Sequence, residues 1–344
     1  MMYGILTMRG VIALACLAAP QTQPSAAPDA TPQVTEGIVA APVCEVWKVF
    51  STAEGFKKLG VAQCALDLCV GGLIRTHYNP EGALGDEGTI QNEILAFEPE
   101  HMIAFRIHKP PKQFPFSEET WKKTWSVVTL TDLGDRTHVR MTGMGYTEAE
   151  ESQKMRQLFK DGNAWVLRHL QQQFDTTTPA NVGPAHAADP LAPIVHERVI
   201  ELPREDVWRL ITPSTGWKQF FDVEANIELR PGGKFEILFD ASAPAGQRGS
   251  EGCTVLSFLP GEMLSYTWSA PPKFEHARTR PTWVVVQFEE LAPERTRVRL
   301  EQLGFLEQAT ENPDHREEWA QVRAYFQRAW AVVLDKMKEQ EHGG

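Results

Sequence analysis

Residues 65–78 read ALDLCVGGLIRTHY, and residues 226–239 read NIELRPGGKFEILF. Both are strand-like runs broken by a Gly-Gly pair, and Gly71 and Gly232 stand 161 positions apart. A fixed offset is the mark of an internal repeat, in which each copy folds as one unit. The same offset joins Pro42 to Pro203, Trp47 to Trp208, Gly55 to Gly216, Lys57 to Lys218, Phe97 to Phe258, Pro99 to Pro260, Met102 to Met263, and Pro110-Pro111 to Pro271-Pro272. It becomes 159 at Arg136/Arg295 and Gly145/Gly304, and 167 at Leu167/Leu334. Length changes therefore fall in connections, which tolerate them, and spare the packed elements.

Each copy runs through the same elements. A strand (34–39; 194–202) leads into a short helix opened by Pro42 or Pro203, where a missing amide donor costs nothing. Val46, Trp47, Val49 and Phe50, and Val207, Trp208, Leu210 and Ile211, make an apolar helical stripe. Trp47 and Trp208 read first as core. Central strands follow, then a hairpin (125–143; 282–302) turning at Leu133-Gly134-Asp135-Arg136 and at Ala292-Pro293-Glu294-Arg295. A long helix closes each copy, with Met155, Leu158, Phe159, Val166, Leu170 and Phe174 in the first and Trp319, Val322, Phe326, Trp330, Val333 and Met337 in the second. Gly162 reads as permitting close approach of a neighbour.

Residues 176–193, TTTPANVGPAHAADPLAP, carry four prolines and almost no large apolar side chain, the composition of a linker. The organisation is a leader and spacer over 1–32, a first domain over 33–175, the linker over 176–193 and a second domain over 194–342. Met1 to Ala19 is a short basic start at Arg9 followed by an apolar run, which resembles a secretory signal and points to a periplasmic or secreted protein. Cys16 in ALAC leaves lipidation open. If the leader is not a signal, the chain is cytoplasmic. The run is too short to span a bilayer.

The formal net charge of −11 is spread over both copies: residues 36–175 hold 15 Lys+Arg and 19 Asp+Glu, and residues 194–342 hold 18 and 24. Neither copy has the basic surplus that holds a polyphosphate backbone, so nucleic acid is excluded as an expected partner. Cys64 and Cys69, five residues apart on one strand, point to opposite faces about 16 Å apart and cannot bridge. Cys44, Cys64, Cys69 and Cys253 read as small buried hydrophobes, with a Cys44–Cys64 pair open if the chain is exported.

Strand alternation assigns faces. Ile74, Thr76 and Tyr78 share the inner face with Phe235, Ile237 and Phe239, which turns His77 to solvent. Ile90, Asn92 and Ile94 match Glu251, Cys253 and Val255; Ile103, Phe105 and Ile107 match Leu264, Tyr266 and Trp268. At offset 159, Trp125, Val127 and Thr129 match Val284, Val286 and Phe288. The inward residues expected to line a cavity are Tyr78, Asn92, Phe105 and Trp125 in the first copy and Phe239, Glu251, Tyr266 and Trp268 in the second.

This order of elements, together with D-L-x-V-G-G-x-x-R at Asp67 to Arg75 and F-x-P-x-x-M at Phe97 to Met102, resembles the START-like (SRPBCC) superfamily. Within it the chain is similar to the branch related to the activator of Hsp90 ATPase, which includes polyketide cyclase-like proteins. The resemblance covers most of the chain in two copies. It departs at His101 and Glu262, where the family tends to have Arg, and at GNAWVL in the first long helix. The resemblance implies an α+β fold of two tandem helix-grip domains, each a curved antiparallel sheet holding its own C-terminal helix over an apolar cavity.

Such a cavity takes an apolar or amphipathic small molecule or lipid. An enzyme needs a positioned acid or base. There is no HExxH, no GxSxG and no Ser/His/Asp set, and His77, His101, His108 and His138 are scattered, so no catalytic residue, metal or cofactor is expected. A buried Glu251 with a raised pKa would make a general acid for a cyclisation or dehydration. The resemblance also implies a chaperone-associated interaction module, if the chain meets a cytosolic chaperone.

Overall fold

The computed structural model describes residues 31–174 and 189–342. The leader, most of the linker and the expectations attached to them, export and Cys16 included, lie outside the described residues. The first half comprises β1 (Gln33–Val39), α1 (Val43–Ser51), α2 (Ala53–Lys58), β2 (Gln63–Leu66), β3 (Leu73–His77), β4 (Ile90–Glu98), β5 (Met102–Lys109), α3 (Glu118–Trp121), β6 (Trp125–Asp132), β7 (Thr137–Met144) and α4 (Glu150–Phe174). The second comprises β8 (Ile194–Ile200), α5 (Arg204–Ile211), α6 (Ser214–Phe221), β9 (Glu224–Ile227), β10 (Phe235–Leu238), β11 (Val255–Leu259), β12 (Met263–Trp268), α7 (Glu275–Arg278), β13 (Thr282–Ala292), β14 (Arg295–Leu303), α8 (Phe305–Glu311) and α9 (Arg316–Lys338).

The first sheet has the order β1-β7-β6-β5-β4-β3-β2; the second is divided into β11-β12-β13-β14-β8 and a β10-β9 ribbon, all antiparallel. The Gly-Gly pairs set the bend. Gly71 and Gly232 have φ of 83° and 77°, a left-handed conformation that favours glycine. A Cβ on Gly72 would sit 2.2 Å from the Asp67 carbonyl, and one on Gly233 2.2 Å from the Glu228 carbonyl. Both pairs clasp the next strand alike: Gly71 N–H donates to the Ile94 carbonyl at 2.8 Å, and Gly232 N–H to that of Val255 at 2.8 Å.

Register refines the repeat. β5 and β12 keep the offset of 161, and in both copies they pair with the next strand so that Thr129 and Gln287 occupy equivalent positions. β6 therefore corresponds to β13 at 158, while β7 and β14 keep 159, as the Thr129–Arg140 and Gln287–Arg299 pairs show. The register shift between Glu290 and Ala292 absorbs the difference. A one-residue slip exchanges faces. Trp125, Val127 and Thr129 thus match Trp283, Val285 and Gln287, and lie on the side of the sheet away from α4; Ser126 and Val128 are the inward residues.

That outer side is also buried. Ala96, Ala104 and Val127 in the first half and Ser257, Ser265 and Val285 in the second are inaccessible to solvent, although they face away from their own helices. What covers them is the other half: β4 meets β11 and β13, and β6 meets β11. The two sheets stand back to back through small residues, as in a β-sandwich.

Three further expectations are corrected. His77 does not face water: it is buried under the 79–89 loop, bonding the Asn79 carbonyl at 3.0 Å and Asp86 Oδ1 at 2.9 Å. That loop folds back over the outer face, which strand parity alone does not reveal. Gly162 brings nothing close, since a Cβ there would meet no atom within 4 Å. Pro42 and Pro203 stand immediately before their helices and not inside them. Cys44, Cys64, Cys69 and Cys253 are free thiols.

Candidate functional site

The long helices lie against the inner faces of their sheets with different closeness. α9 sinks Trp319, Val322, Phe326, Trp330, Val333, Leu334 and Met337. α4 sinks only Ser152, Met155, Leu167 and Leu170, and its Leu158 stays 47% exposed. Beneath α4 a cavity of about 590 Å³ remains, floored by Ile74, Phe105, Val128 and Met141 and roofed by Phe159, Trp165 and Val166. This lies within the range of roughly 300–1,000 Å³ typical of small-molecule sites.

Beneath and beside α9 lies a second cavity of about 520 Å³, bounded by Phe239, Trp268, Pro271, Tyr325, Phe326, Trp330 and Val333. The offsets make them counterparts: Tyr78/Phe239, Pro110/Pro271, Phe159/Phe326, Gly162/Ala329 and Val166/Val333 border one and the other. Their floors are not alike. Phe235 and Tyr266, the counterparts of Ile74 and Phe105, stack at 3.9 Å and are fully buried in the second half.

Of the eight residues expected at the cavities, Tyr78, Asn92, Phe105 and Trp125 border the first and Phe239 and Trp268 the second. Tyr78 and Phe239 stand at the rims, 51% and 44% exposed. Trp125 borders the cavity only at its edge, because its indole crosses to the other half and donates to the Phe258 carbonyl at 3.2 Å. Tyr266 is packed away under Phe235, and burial, then Cys253, raises its pKa.

Glu251 is not in either wall. Its carboxylate accepts the Gly246 amide at 2.8 Å and the Arg248 amide at 2.7 Å. Burial alone would raise its pKa, but these amides and the Arg248 and Arg278 guanidiniums outweigh it and bring the pKa below the ordinary carboxylate value. A carboxyl held ionised in a loop is not the general acid that a raised pKa would supply.

Side chains not foreseen complete the first cavity. Asn92, Ser126 and Tyr146 border it and make no side-chain hydrogen bond among the described residues. Tyr146 is 3% exposed, and burial, opposed by Arg156, raises its pKa, so the hydroxyl keeps its proton. Asn163, also in the wall, donates to Gln33 Oε1 at 2.9 Å. Ser126 was hidden by the face slip in β6, and Asn163 was visible only as the odd partner of Trp330 at offset 167. Arg106, the charged residue of the wall, is paired with Glu93 at 2.9 Å. Among the described residues no group of three or more His, Cys, Asp and Glu side chains is placed to hold a metal ion.

The family model for Activator of Hsp90 ATPase homolog 1-like proteins matches residues 40–175 and, a second time, residues 201–340. The chain belongs to this family. Family membership joins the two units of antiparallel sheet and long C-terminal helix to the tandem copies seen in the sequence. No curated protein matches the chain. Among solved structures it is similar to the Aha1 dimer of Colwellia psychrerythraea, at 16% identity over 42% of this chain and 96% of that one, with a TM-score of 0.34. It is similar also to the di-domain ARO/CYC BexL of the BE-7585A biosynthetic pathway, at 12% identity over 91% of this chain and 99% of that one, TM-score 0.35. DynU16 of the dynemicin biosynthetic locus shares 16% identity over 90% and 99%, TM-score 0.33. No helix among the described residues is long and apolar enough to cross a membrane.

Proposed function

We propose that this protein binds a hydrophobic or amphipathic small molecule between sheet and C-terminal helix. The observation that carries the reading is the cavity of about 590 Å³ under α4, whose apolar wall holds Asn92, Ser126 and Tyr146 without hydrogen-bond partners. Their polar atoms open on the cavity, where a ligand's oxygens can pair with them. An apolar wall supplies affinity through area removed from water, and a few polar groups fix orientation. Arg106, the charged residue of the wall, is paired with Glu93, and Tyr146 keeps its proton, so the wall presents neutral hydrogen-bonding groups to a ligand.

The test is extraction of the natively purified full chain with organic solvent, followed by mass spectrometry. The expected result is a hydrophobic compound in stoichiometric amount, or reversible uptake of one by emptied protein. A chain that carries nothing and takes up no hydrophobic compound would contradict the reading.

A further inference from the structure

We infer that the two copies have diverged in what they can hold: the first cavity takes a neutral, oxygen-bearing hydrophobic molecule, while its counterpart has lost its depth to Trp330. This rests on the binding reading above and names the half and the ligand class. The deciding positions are Asn163 and Trp330, which the offset of 167 makes equivalent. Trp330 is 2% exposed, its ring lies 5.1 Å from Trp268, and its indole donates to Gln302 Oε1 at 2.6 Å.

The anchoring glutamine has changed strands between the copies. In the second half Gln302 on β14 stands opposite Ile194 on β8; in the first, Gly143 on β7 stands opposite Gln33 on β1. Gln302 reaches inward and fixes an indole across the cavity. Gln33 instead holds the short amide of Asn163, and Gly143 offers no side chain. A tryptophan thereby fills in one half the place that Asn163 takes in the other, and the second cavity, about 520 Å³ against about 590 Å³, does not reach Phe235 and Tyr266, the counterparts of the Ile74 and Phe105 floor. Next to Asn163, Gly162 leaves open space where Ala329 stands in α9.

Charge fixes the ligand class. In the first wall Arg106 is already paired with Glu93, so a carboxylate or ammonium entering the cavity would be desolvated without a counter-ion. Asn92, Ser126 and Tyr146 can exchange hydrogen bonds with hydroxyl or carbonyl oxygens at no such cost.

The experiment is fluorescence titration of the full chain with 6-propionyl-2-(dimethylamino)naphthalene, a neutral ketone, and with 8-anilino-1-naphthalenesulfonate, a naphthalene anion. The expected result is one neutral probe per chain, bound about tenfold or more tighter than the anion, as an unpaired buried charge requires. Gly162→Leu, which fills the cavity from a position with room for a side chain, is expected to weaken the neutral probe about tenfold or more, with the melting temperature kept or raised. Asn163→Trp, copying the second half, should do the same. Two neutral probes per chain, equal affinity for both probes, or full affinity in folded Gly162→Leu would overturn the inference while leaving binding itself intact. A wild-type chain that binds neither probe and carries no compound would instead remove the binding reading.

Discussion

Trp125 donates its indole N–H to the carbonyl of Phe258 at 3.2 Å, and its counterpart Trp283 donates to that of Phe97 at 2.8 Å. The ring pairs repeat as well, with centroids 5.0 Å apart in each. This reciprocity is that of an isologous dimer contact carried within one chain. The halves should therefore unfold together: a single calorimetric transition is expected for the full chain. Trp283→Phe should lower stability by roughly 1–3 kcal/mol by leaving the buried Phe97 carbonyl unpaired. Two separated transitions in the wild type would show that the contact does not couple the halves.

Glu98 is fully buried at the same contact, accepting from Arg299 and, at 3.0 Å, from Gln287, both of the second half. Removing one partner of a buried pair strands the other charge, so Arg299→Met should cost roughly 3–5 kcal/mol. Arg140, the equivalent residue on β7, reaches Glu262 at the partly exposed edge, where the pair is worth less than about 1 kcal/mol. Urea unfolding of Arg299→Met and Arg140→Met should separate the two; equal losses would contradict this ranking.

Glycines at 60 and 162 should respond in opposite directions to alanine. Gly162 is helical with open space beside it, so Gly162→Ala should stabilise by about 0.5–1 kcal/mol. Gly60 has φ of 87° and lies under the Trp165 ring, so Gly60→Ala should destabilise by roughly 1–2 kcal/mol or more. Paired melting curves check both signs.

Burial raises the Cys64 thiol from 9.0 to about 11. The folded chain therefore holds this proton more tightly than the unfolded one. The resulting stability is fully present below pH 9.0 and is lost as pH rises toward about 11. Urea midpoints should fall across that window, and Cys64→Ala should flatten that part of the fall. Tyr146 and Tyr266, also raised by burial, add their loss from pH 10.0 upward. An unchanged slope in Cys64→Ala would contradict the assignment.

Much of the fold was legible because a duplicated sequence supplies its own comparison. Gly71 and Gly232 marked the bend, and Phe159/Phe326 and Val166/Val333 marked equivalent helix faces. What escaped depended on single residues of register: the bulge near Leu291 moved β13 by one position, enough to exchange Trp125 for Ser126 as the inward side chain. His77 escaped because the loop that follows its own strand folds back to cover it, which alternation within the strand does not show, and the back-to-back contact escaped because Ala96, Ala104, Ser257 and Ser265 look like ordinary small strand residues. The cavity's polar groups were partly legible, Asn92 by parity, while Tyr146 sits just beyond β7, where no periodicity applies. Glu251 was misplaced because the strand expected around it is a loop whose amides hold the carboxylate.

A crystal structure of the full chain soaked with 6-propionyl-2-(dimethylamino)naphthalene tests the central claim most directly. The expected result is probe density under α4, against Phe105 and Tyr146, with Trp330 still closing the corresponding place under α9. Density under α9 instead, or only on the outer surface with the α4 cavity empty, would contradict it.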